Sequence, residues 1–541
     1  MQPAVPPLDV TPEELEALLE GVREALGEAG YQKLKAAIRT LGYVTQLLEN
    51  RETTLQALRR LLCQARTEKT AAVLQQAGLE ASARKRKPAA GAASESPAAG
   101  HGRNGAHAYR GAHRIEVPHP SLHQGDRCPE CQRGKVYPRH DPGRLVRMKG
   151  QPPIATTVYE LQKLRCNLCG EVFTAEAPEG VGEEKYDATA ASMIALLRYG
   201  SGFPWCRLEG LEQSLGIPLP AATQCEIVAE AAAAIQPAMA ELIRQAAQGE
   251  VLHNDDTTMP VLALRRNTDT DPDESDATER TGVFTSGIVS TSQKQTIALF
   301  FTGRQHAGEN LADVLQRRAK ELAPAIQMCD ALSRNLPKLP EKLEVIVGHC
   351  LAHARRRFVE VTPNFPKPCR YVLEALGEVY GNEARAQPMT QEERLRFHQL
   401  YSAPVMEELR AWLNTQFAER NVEPNSGLGV AMRYLLKHWE RLTLFLRRAG
   451  APLDKNICER ALKKAILHRK NSLFYKTQKG AHVGDLFMSL IHTCEQCGAN
   501  PFDYLTQLQR HAGELARNPP EWMPWNYRAT LEPSGARLDS G

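Results

Sequence analysis

Two cysteine pairs carry the most specific chemical pattern in this chain. Cys128-Pro-Glu-Cys131 and Cys166-Asn-Leu-Cys169 are Cys-x-x-Cys knuckles with 34 residues between them. Each knuckle offers two thiolates to one ion, and together they complete a tetrahedral four-sulfur shell with no open position. The pattern predicts a structural Zn2+ that takes no part in chemistry. The run Ile154 to Leu161 between the pairs reads as a strand of a zinc ribbon. Cys494-x-x-Cys497 is a lone pair on a helical stretch, and core packing explains it. A second pattern surrounds Glu459. Asp454 reads as the N-cap of a helix whose apolar stripe is Cys458, Ala461, Leu462 and Ala465. Glu459 and Lys463 share an adjacent face, with Arg460 beside them and Lys464, Arg469 and Lys470 further along. A carboxylate on so basic a helix is either a surface ion pair or a metal ligand beside a track of phosphate contacts. The residues alone leave both readings open.

The elements that must position these groups follow from periodicity. Val251-Leu252-His253 leads through Asp255 as a strand, and Gly282 to Ser290 and Gln295 to Thr302 alternate like paired strands. A helix is predicted from about Gly308 to Ala323, then a short apolar strand from Ala325 to Cys329 ending at Asp330. Leu343 to Val347 is another strand, and the helical segment from His353 to Phe358 follows. Its Arg355-Arg356 pair either serves near a site or caps a packed helix. Three strands, helix, strand, helix or loop, strand, helix is the order of a ribonuclease-H-like mixed sheet with helices packed on it. The loop holding Asp269, Asp271, Asp273, Glu274, Asp276 and Glu279 fails the calcium-loop pattern, because Glu274 stands where glycine is required and Arg280 where the closing glutamate is. It reads as a solvated connection.

Leu34, Leu41, Leu48, Leu55 and Leu62 recur every seven residues, which predicts a coiled coil over 1–79 and self-association through it. Residues 80–114, rich in Ala, Gly, Ser and Pro around Arg84-Lys85-Arg86-Lys87, read as a basic flexible linker. The four-cysteine zinc ribbon takes 115–180. Residues 181–248 are a helical region (Tyr186 to Arg198, about Arg207 to Leu215, and Ala221 to Ala247) with a helix-turn-helix-like pair. Residues 249–480 read as the ribonuclease-H-like core with a helical insertion at about 368–450, and 481–541 as a C-terminal helical segment and tail. The expected fold class is therefore multidomain α+β: coiled coil, zinc ribbon, helical DNA-binding region, and a ribonuclease-H-like α/β core with a large helical insertion.

Composition narrows the function classes. The 67 Lys and Arg against 63 Asp and Glu leave a net charge of +4, too small by itself to imply a nucleic-acid partner. The 13 cysteines are an odd count with paired spacing, which suits a reducing compartment better than a disulfide framework. No uninterrupted apolar run of about 18 residues argues for a membrane span. The N-terminus lacks a basic start before an apolar run, so a cytoplasmic protein without a secretory signal is expected. No Gly-x-x-x-x-Gly-Lys-Ser/Thr motif supports an ATP-driven motor.

Four motifs occur in fixed order: Leu252-His253-Asn254-Asp255-Asp256-Thr257; Thr302-Gly303-Arg304-x-His306-Ala307-Gly308; Cys350-x-Ala352-His353-Ala354-Arg355-Arg356; and Glu459-Arg460 through Arg469-Lys470-Asn471-Ser472-Leu473-Phe474. Together they resemble the transposases of the insertion sequence sixty-six family, of the aspartate-aspartate-glutamate (DDE) class. The similarity runs over nearly the whole chain, to Trp522-Met523-Pro524-Trp525-Asn526-Tyr527. The resemblance implies that Asp255 is the first catalytic carboxylate, Asp330 the second and Glu459 the third. Asp256 competes with Asp255, although alternation turns neighbouring strand residues to opposite faces. The chain departs from many relatives at two places. It has Asp330-Ala331-Leu332 where they have Asp-Gly-Tyr, and Lys455-Asn456 where they have paired asparagines.

Cleavage and transfer of a phosphodiester need an in-line nucleophile and a stabilised leaving oxygen. Two Mg2+ ions, or Mn2+ in their place, can clamp both. Carboxylates 75 and 129 residues apart converge on such ions only in a folded core. The expected function is thus a DNA transposase acting on double-stranded DNA, both element ends and target. It would be nucleoid-associated in the cytoplasm, homo-oligomeric through its coiled coil, and aided by accessory proteins of the same element. Arg460, Lys463, Lys464, Arg469 and Lys470 are its expected phosphate contacts. Two alternatives are a ribonuclease-H-type nuclease without strand transfer and an inactive, transposase-derived DNA-binding protein.

Overall fold

The computed structural model describes residues 20–21, 27–28, 30–36, 70–76, 115, 117–137, 151–165, 167, 169, 172–182, 184–264, 282–292, 295–341 and 343–531. The heptad leucines after Leu34, the basic run Arg84 to Lys87, Cys166 and the acidic loop from Asp269 to Glu279 lie outside them. The chain divides into two compact units, Lys85–Gly348 with Asp454–Gly541, and Met1–Arg84 with His349–Leu453.

A five-stranded mixed sheet organises the first of these, making the chain an α+β protein. Its strands are β1 Val251–Thr258, β2 Phe284–Thr291, β3 Thr296–Gly303, β4 Ala325–Cys329 and β5 Val345–His349, in the order β3-β2-β1-β4-β5. β1 runs antiparallel to β2, β2 antiparallel to β3, and β1 parallel to β4. β4 is buried at every residue, and β2 at all but its ends. Both faces of these strands are therefore covered.

Before the sheet come α1 Ala188–Ala195, α2 Trp205–Ser214, α3 Ala221–Ala234 and α4 Gln236–Ala246. Asp187 caps α1, accepting from the amides of Thr189 and Ala190. The stretch expected as one helix from Ala221 to Ala247 breaks at Ile235, because Pro237 brings no N–H and opens a new first turn. After β3 comes α5 Ala307–Leu315, which stops well short of Ala323. The Arg318 guanidinium instead donates to the carbonyls of Ala247 and Gly249 at 2.8 Å, and the Ala319 amide donates to Gln248 Oε1 at 2.9 Å. Tertiary bonds there replace the next helical turn. The expected strand from Ile154 to Leu161 is absent as well. Val158 is 80% exposed, no sheet covers the run, and the local pairing is Lys163–Arg165 against Val172–Thr174.

After the sheet this unit continues with α6 Asn456–Ser472, α7 Gln478–Cys497 and α8 Pro501–Arg510, and two short helices, Ala512–Arg517 and Tyr527–Leu531, follow. α7 lies along the edge strand β3 and satisfies its outward amides. Ala298 N donates to Thr493 Oγ1 (3.1 Å), Phe300 N to Ser489 Oγ (2.9 Å) and Thr302 N to Asp485 Oδ2 (2.7 Å). Four helical residues rise about 6 Å and two strand residues about 6.7 Å, so an i, i+4, i+8 polar row tracks alternate strand amides. The edge is thereby closed to pairing with another chain. Cys494 is fully buried on this helix, consistent with packing rather than metal binding.

The other unit is helical, with Thr70–Gln76, Leu351–Val361, Pro366–Ala386, Gln391–Tyr401, Ala403–Ala418 and Gly427–Lys437 among its elements. Its two chain crossings are tied where the Leu351 amide donates to the Leu453 carbonyl at 2.9 Å. Leu74 is fully buried, and Thr70 Oγ1 accepts from Arg355 at 3.3 Å. Arg355 is therefore a packed residue of this unit.

Candidate functional site

The parallel register of β1 and β4 determines which residues meet. Val251 pairs with Ile326, Leu252 with Gln327 and His253 with Met328. Continued past the end of β4, the same offset sets Asp330 beside Asp255. Both side chains are largely enclosed, 18% exposed for Asp255 and 11% for Asp330. Asn335 joins them. Its Nδ2 donates to Asp330 Oδ1 at 2.7 Å and reaches Asp255 Oδ1 at 3.5 Å. The Asn335 carbonyl in turn accepts from Asn254 Nδ2 (2.8 Å) and Gln327 Nε2 (2.7 Å), residues of β1 and β4 themselves.

Asp256 faces the other way, as alternation requires. It pairs with His306 Nδ1 at 2.8 Å and Arg334 at 3.2 Å, and its side chain is 1% exposed. His306 caps α5 and, through the Glu309 capping box, fixes its first turn. Two residues on, Gly308 lets the Ser333–Asn335 turn approach, since a Cβ there would lie 2.5 Å from the Leu336 carbonyl oxygen. The His306-Ala307-Gly308 motif thus holds the turn that presents Asn335 to the acids.

α6 supplies the remaining groups. It packs on β1 and β2 over Gly287, the register partner of Asp255, where a Cβ would meet Leu462 at 2.9 Å. Cys458 Sγ donates to the Gly287 carbonyl at 3.4 Å. The helix begins one residue later than expected. Asp454 accepts from the Asn456 amide at 3.0 Å, and Lys455 takes the cap position. The Lys455 side chain is fully buried, with Nζ 2.7 Å from Asp255 Oδ2 and 3.8 Å from Asp330 Oδ2. Burial pulls its ammonium down, but the two carboxylates outweigh burial and raise it above the ordinary lysine range. Burial pushes the Asp255 carboxyl up, Lys455 opposes this, and the Asp330 charge adds to it. Neighbouring His253 is buried, with Arg460 and Lys455 nearby, and is lowered to about 3, so it is neutral.

Glu459 lies one turn beyond Lys455, its amide donating to the Lys455 carbonyl at 3.1 Å. Among the described residues no set of three His, Cys, Asp or Glu side chains stands at metal-holding geometry. The structure therefore brings together Asp255 and Asp330, and places Glu459 on the adjoining helix. Of the basic residues, Lys464 pairs with Glu495 at 2.9 Å, and Arg469 donates to Thr257 Oγ1 at 3.0 Å and Thr258 Oγ1 at 2.6 Å. Arg460, Lys463 and Lys470 are exposed. Lys455 and Asn335 are site residues that motif reading missed. The departure from paired asparagines was the one signal for Lys455.

At the cysteines, 128–135 folds as a knuckle. Cys128 N donates to the Gly134 carbonyl (2.8 Å), Gln132 N to the Cys128 carbonyl (2.9 Å), and Gly134 N to Cys131 Sγ (3.4 Å). The Gly134 and Arg133 amides lower the Cys131 thiol, favouring the thiolate a metal binds. Cys169 is exposed, and Cys166 lies outside the described residues.

The mixed sheet thus carries two juxtaposed acids beside a helix rich in Lys and Arg. The chain belongs to the transposase IS66 family, whose family model matches residues 185–483. Three proteins of Sinorhizobium fredii (strain NBRC 101917 / NGR234) are similar to it, each named only as an uncharacterized protein. y4jD is 35% identical over 34% of this chain and 36% of its own length. y4hP is 25% identical over 68% of this chain and 67% of its own length. y4qI is 25% identical over 62% and 61%. The chain thus spans about a third of y4jD and between three fifths and two thirds of the other two. No helix among the described residues is long and apolar enough to cross a membrane.

Proposed function

We propose that this chain is the DNA transposase of a bacterial insertion sequence, binding element ends and catalysing Mg2+-dependent cleavage and strand transfer through Asp255, Asp330 and Glu459. The observation that carries this reading is Asp330 standing beside Asp255 just past the end of the parallel β1/β4 register, next to the helix that bears Glu459. The strand order β3-β2-β1-β4-β5, with its antiparallel β1-β2-β3 side and parallel β1/β4 pair, supports a ribonuclease-H-like core.

The donor set fits hard divalent ions, which take carboxylate oxygens. Asp255, Asp330 and Glu459 would hold them, and bound ions would supply charge stabilisation at the leaving oxygen and a nucleophile at neutral pH. The protein's own groups orient the chemistry. Asn335 holds the two aspartates in one rotameric arrangement, and Asn254 and Gln327 hold Asn335. The exposed Arg460, Lys463 and Lys470 neutralise phosphates along the bound duplex. Cys128, Cys131, Cys166 and Cys169 would hold a structural Zn2+ in the end-recognition region with the helices of 181–248, and the heptads of 1–79 would join copies in the assembly. Accessory proteins of the same element are expected partners.

The test is an assay on labelled element-end DNA with Mg2+, comparing the parent with Asp255→Asn. Nicking followed by joining in the parent alone, with DNA bound by both, is the expected result. Hydrolysis without joining selects the nuclease. Binding without cleavage, accessory proteins included, selects the inactive DNA-binding derivative, a reading favoured by the lysine between the acids.

A further inference from the structure

The two aspartates already share a cation. Lys455 Nζ sits 2.7 Å from Asp255 Oδ2 and 3.8 Å from Asp330 Oδ2, and the residue is 0% exposed. Its backbone is fixed, because its carbonyl accepts from the amides of Cys458 (2.8 Å) and Glu459 (3.1 Å) in the first turn of α6. The ammonium is therefore aimed between the carboxylates by a rigid helix start. On their other side Asn335 Nδ2 occupies the Oδ1 atoms, at 2.7 and 3.5 Å. The Oδ2 atoms that face the lysine are the open oxygens of the pair, and they are the ones a divalent ion would need.

We infer that Lys455 is a resident counter-ion that competes with divalent metal for Asp255 and Asp330, so that metal binds this site only as the lysine side chain swings out. This rests on the proposed metal-dependent function and refines it: the residue sets how much metal the site requires. The physical basis is exclusion. A divalent ion takes carboxylate oxygens at about 2.0–2.1 Å and carries two charges, so an ammonium in contact with the same oxygens repels it and blocks its approach. Affinity then falls by the fraction of molecules in which the lysine is out. If that fraction is about a tenth or less, the metal binds about tenfold or more weakly than to a site without the lysine. A neutral, shorter side chain at 455 removes both charge and obstruction. A flexible four-carbon stem allows the swing without moving α6.

The experiment measures Mn2+ binding directly, by electron paramagnetic resonance titration of the full chain, for the parent, Lys455→Asn, Asp255→Asn and the double variant that carries both substitutions. Removing the lysine leaves two enclosed carboxylates without their cation, so a second readout uses the parent alone. Acylation of Lys455 is followed by mass spectrometry with and without saturating Mn2+. The expected result is at least about tenfold tighter Mn2+ binding in Lys455→Asn, abolished by Asp255→Asn in either background, and faster acylation of Lys455 in the parent when Mn2+ is bound. Equal affinity in parent and Lys455→Asn, or Lys455 acylation indifferent to bound Mn2+, overturns the competition while leaving the metal site standing. Mn2+ binding insensitive to Asp255→Asn in both backgrounds overturns the metal site itself, and this inference with it.

Discussion

Asp330 stands beside Asp255 because β1 and β4 run parallel in a register that pairs Val251 with Ile326. Two enclosed carboxylates side by side repel when both are charged, and the fold answers with Asn335 on one side and Lys455 on the other. The arrangement is specified by backbone pairing first and by side-chain contacts second. That order makes the supporting residues testable apart from the acids.

Asn335→Ala removes the donor shared by both carboxylates. We expect a stability loss of about 1–3 kcal/mol, from carboxylate oxygens left short of a partner. Cleavage should fall by about a hundredfold, the scale of a ~1 Å misplacement in a catalytic arrangement. Thermal melts and nicking rates measured together check this, and unchanged nicking would remove Asn335 from the site.

Gly308→Ala places a Cβ 2.5 Å from the Leu336 carbonyl oxygen and 2.7 Å from that of Arg334. Backbone must move, at a cost of about 1–3 kcal/mol. The displaced turn carries both Arg334 and Asn335, so the melting temperature and the cleavage rate should fall together. A melting temperature equal to the parent's would show that the turn is not packed as described.

Ser489→Ala orphans the Phe300 amide on the edge strand, since that N–H donates to Ser489 Oγ at 2.9 Å. The expected cost is about 1–3 kcal/mol. Hydrogen exchange should accelerate at Phe300 more than at the antiparallel interior of β2, and uniform exchange would contradict the helix-to-edge bonds.

Asp485 gives the fold a pH dependence. Burial raises its carboxyl to about 7, against an ordinary value of 3.8, despite two hydrogen bonds from Thr302. Between those values the folded state binds a proton that the unfolded state has released. Stability from this group is therefore present below about pH 4 and lost as pH rises towards 7, by about 4 kcal/mol at most. Denaturant melts across pH 4–8 should show a shallower decline for Asp485→Asn than for the parent. Parallel pH profiles would mean that the carboxylate is not buried as described.

Much of the sheet was legible because alternation and length are local properties. The strand at Ala325–Cys329 falls where its apolar run ends at Asp330, and β2 and β3 lie within a residue or two of their predicted spans. Helix lengths were less so. Nothing local to Ala307–Leu315 announces that Arg318 and Ala319 will bond to the end of α4 instead of continuing the helix. The run from Ile154 to Leu161 has strand-like residues but no sheet to join, a fact held by the rest of the chain. At the site, Asp255 and Glu459 lie in the ordered motifs and Asp330 was assigned from the resemblance those motifs carry, whereas neither pointed to Asn335. Its place depends on the β1/β4 register and on the room left by Gly308, both tertiary. Lys455 stood in plain view as a departure from the family pattern, but its burial between two acids could be known only from the fold.

The most direct test concerns the third acid, which the structure sets one turn from Lys455 on α6. Mg2+-dependent nicking and joining of labelled element-end DNA should be compared for the parent, Asp330→Asn and Glu459→Gln, with DNA binding measured alongside. Loss of both steps in each variant, with binding retained, is the result expected of a three-carboxylate transposase. Full strand transfer by Glu459→Gln or Asp330→Asn would contradict it.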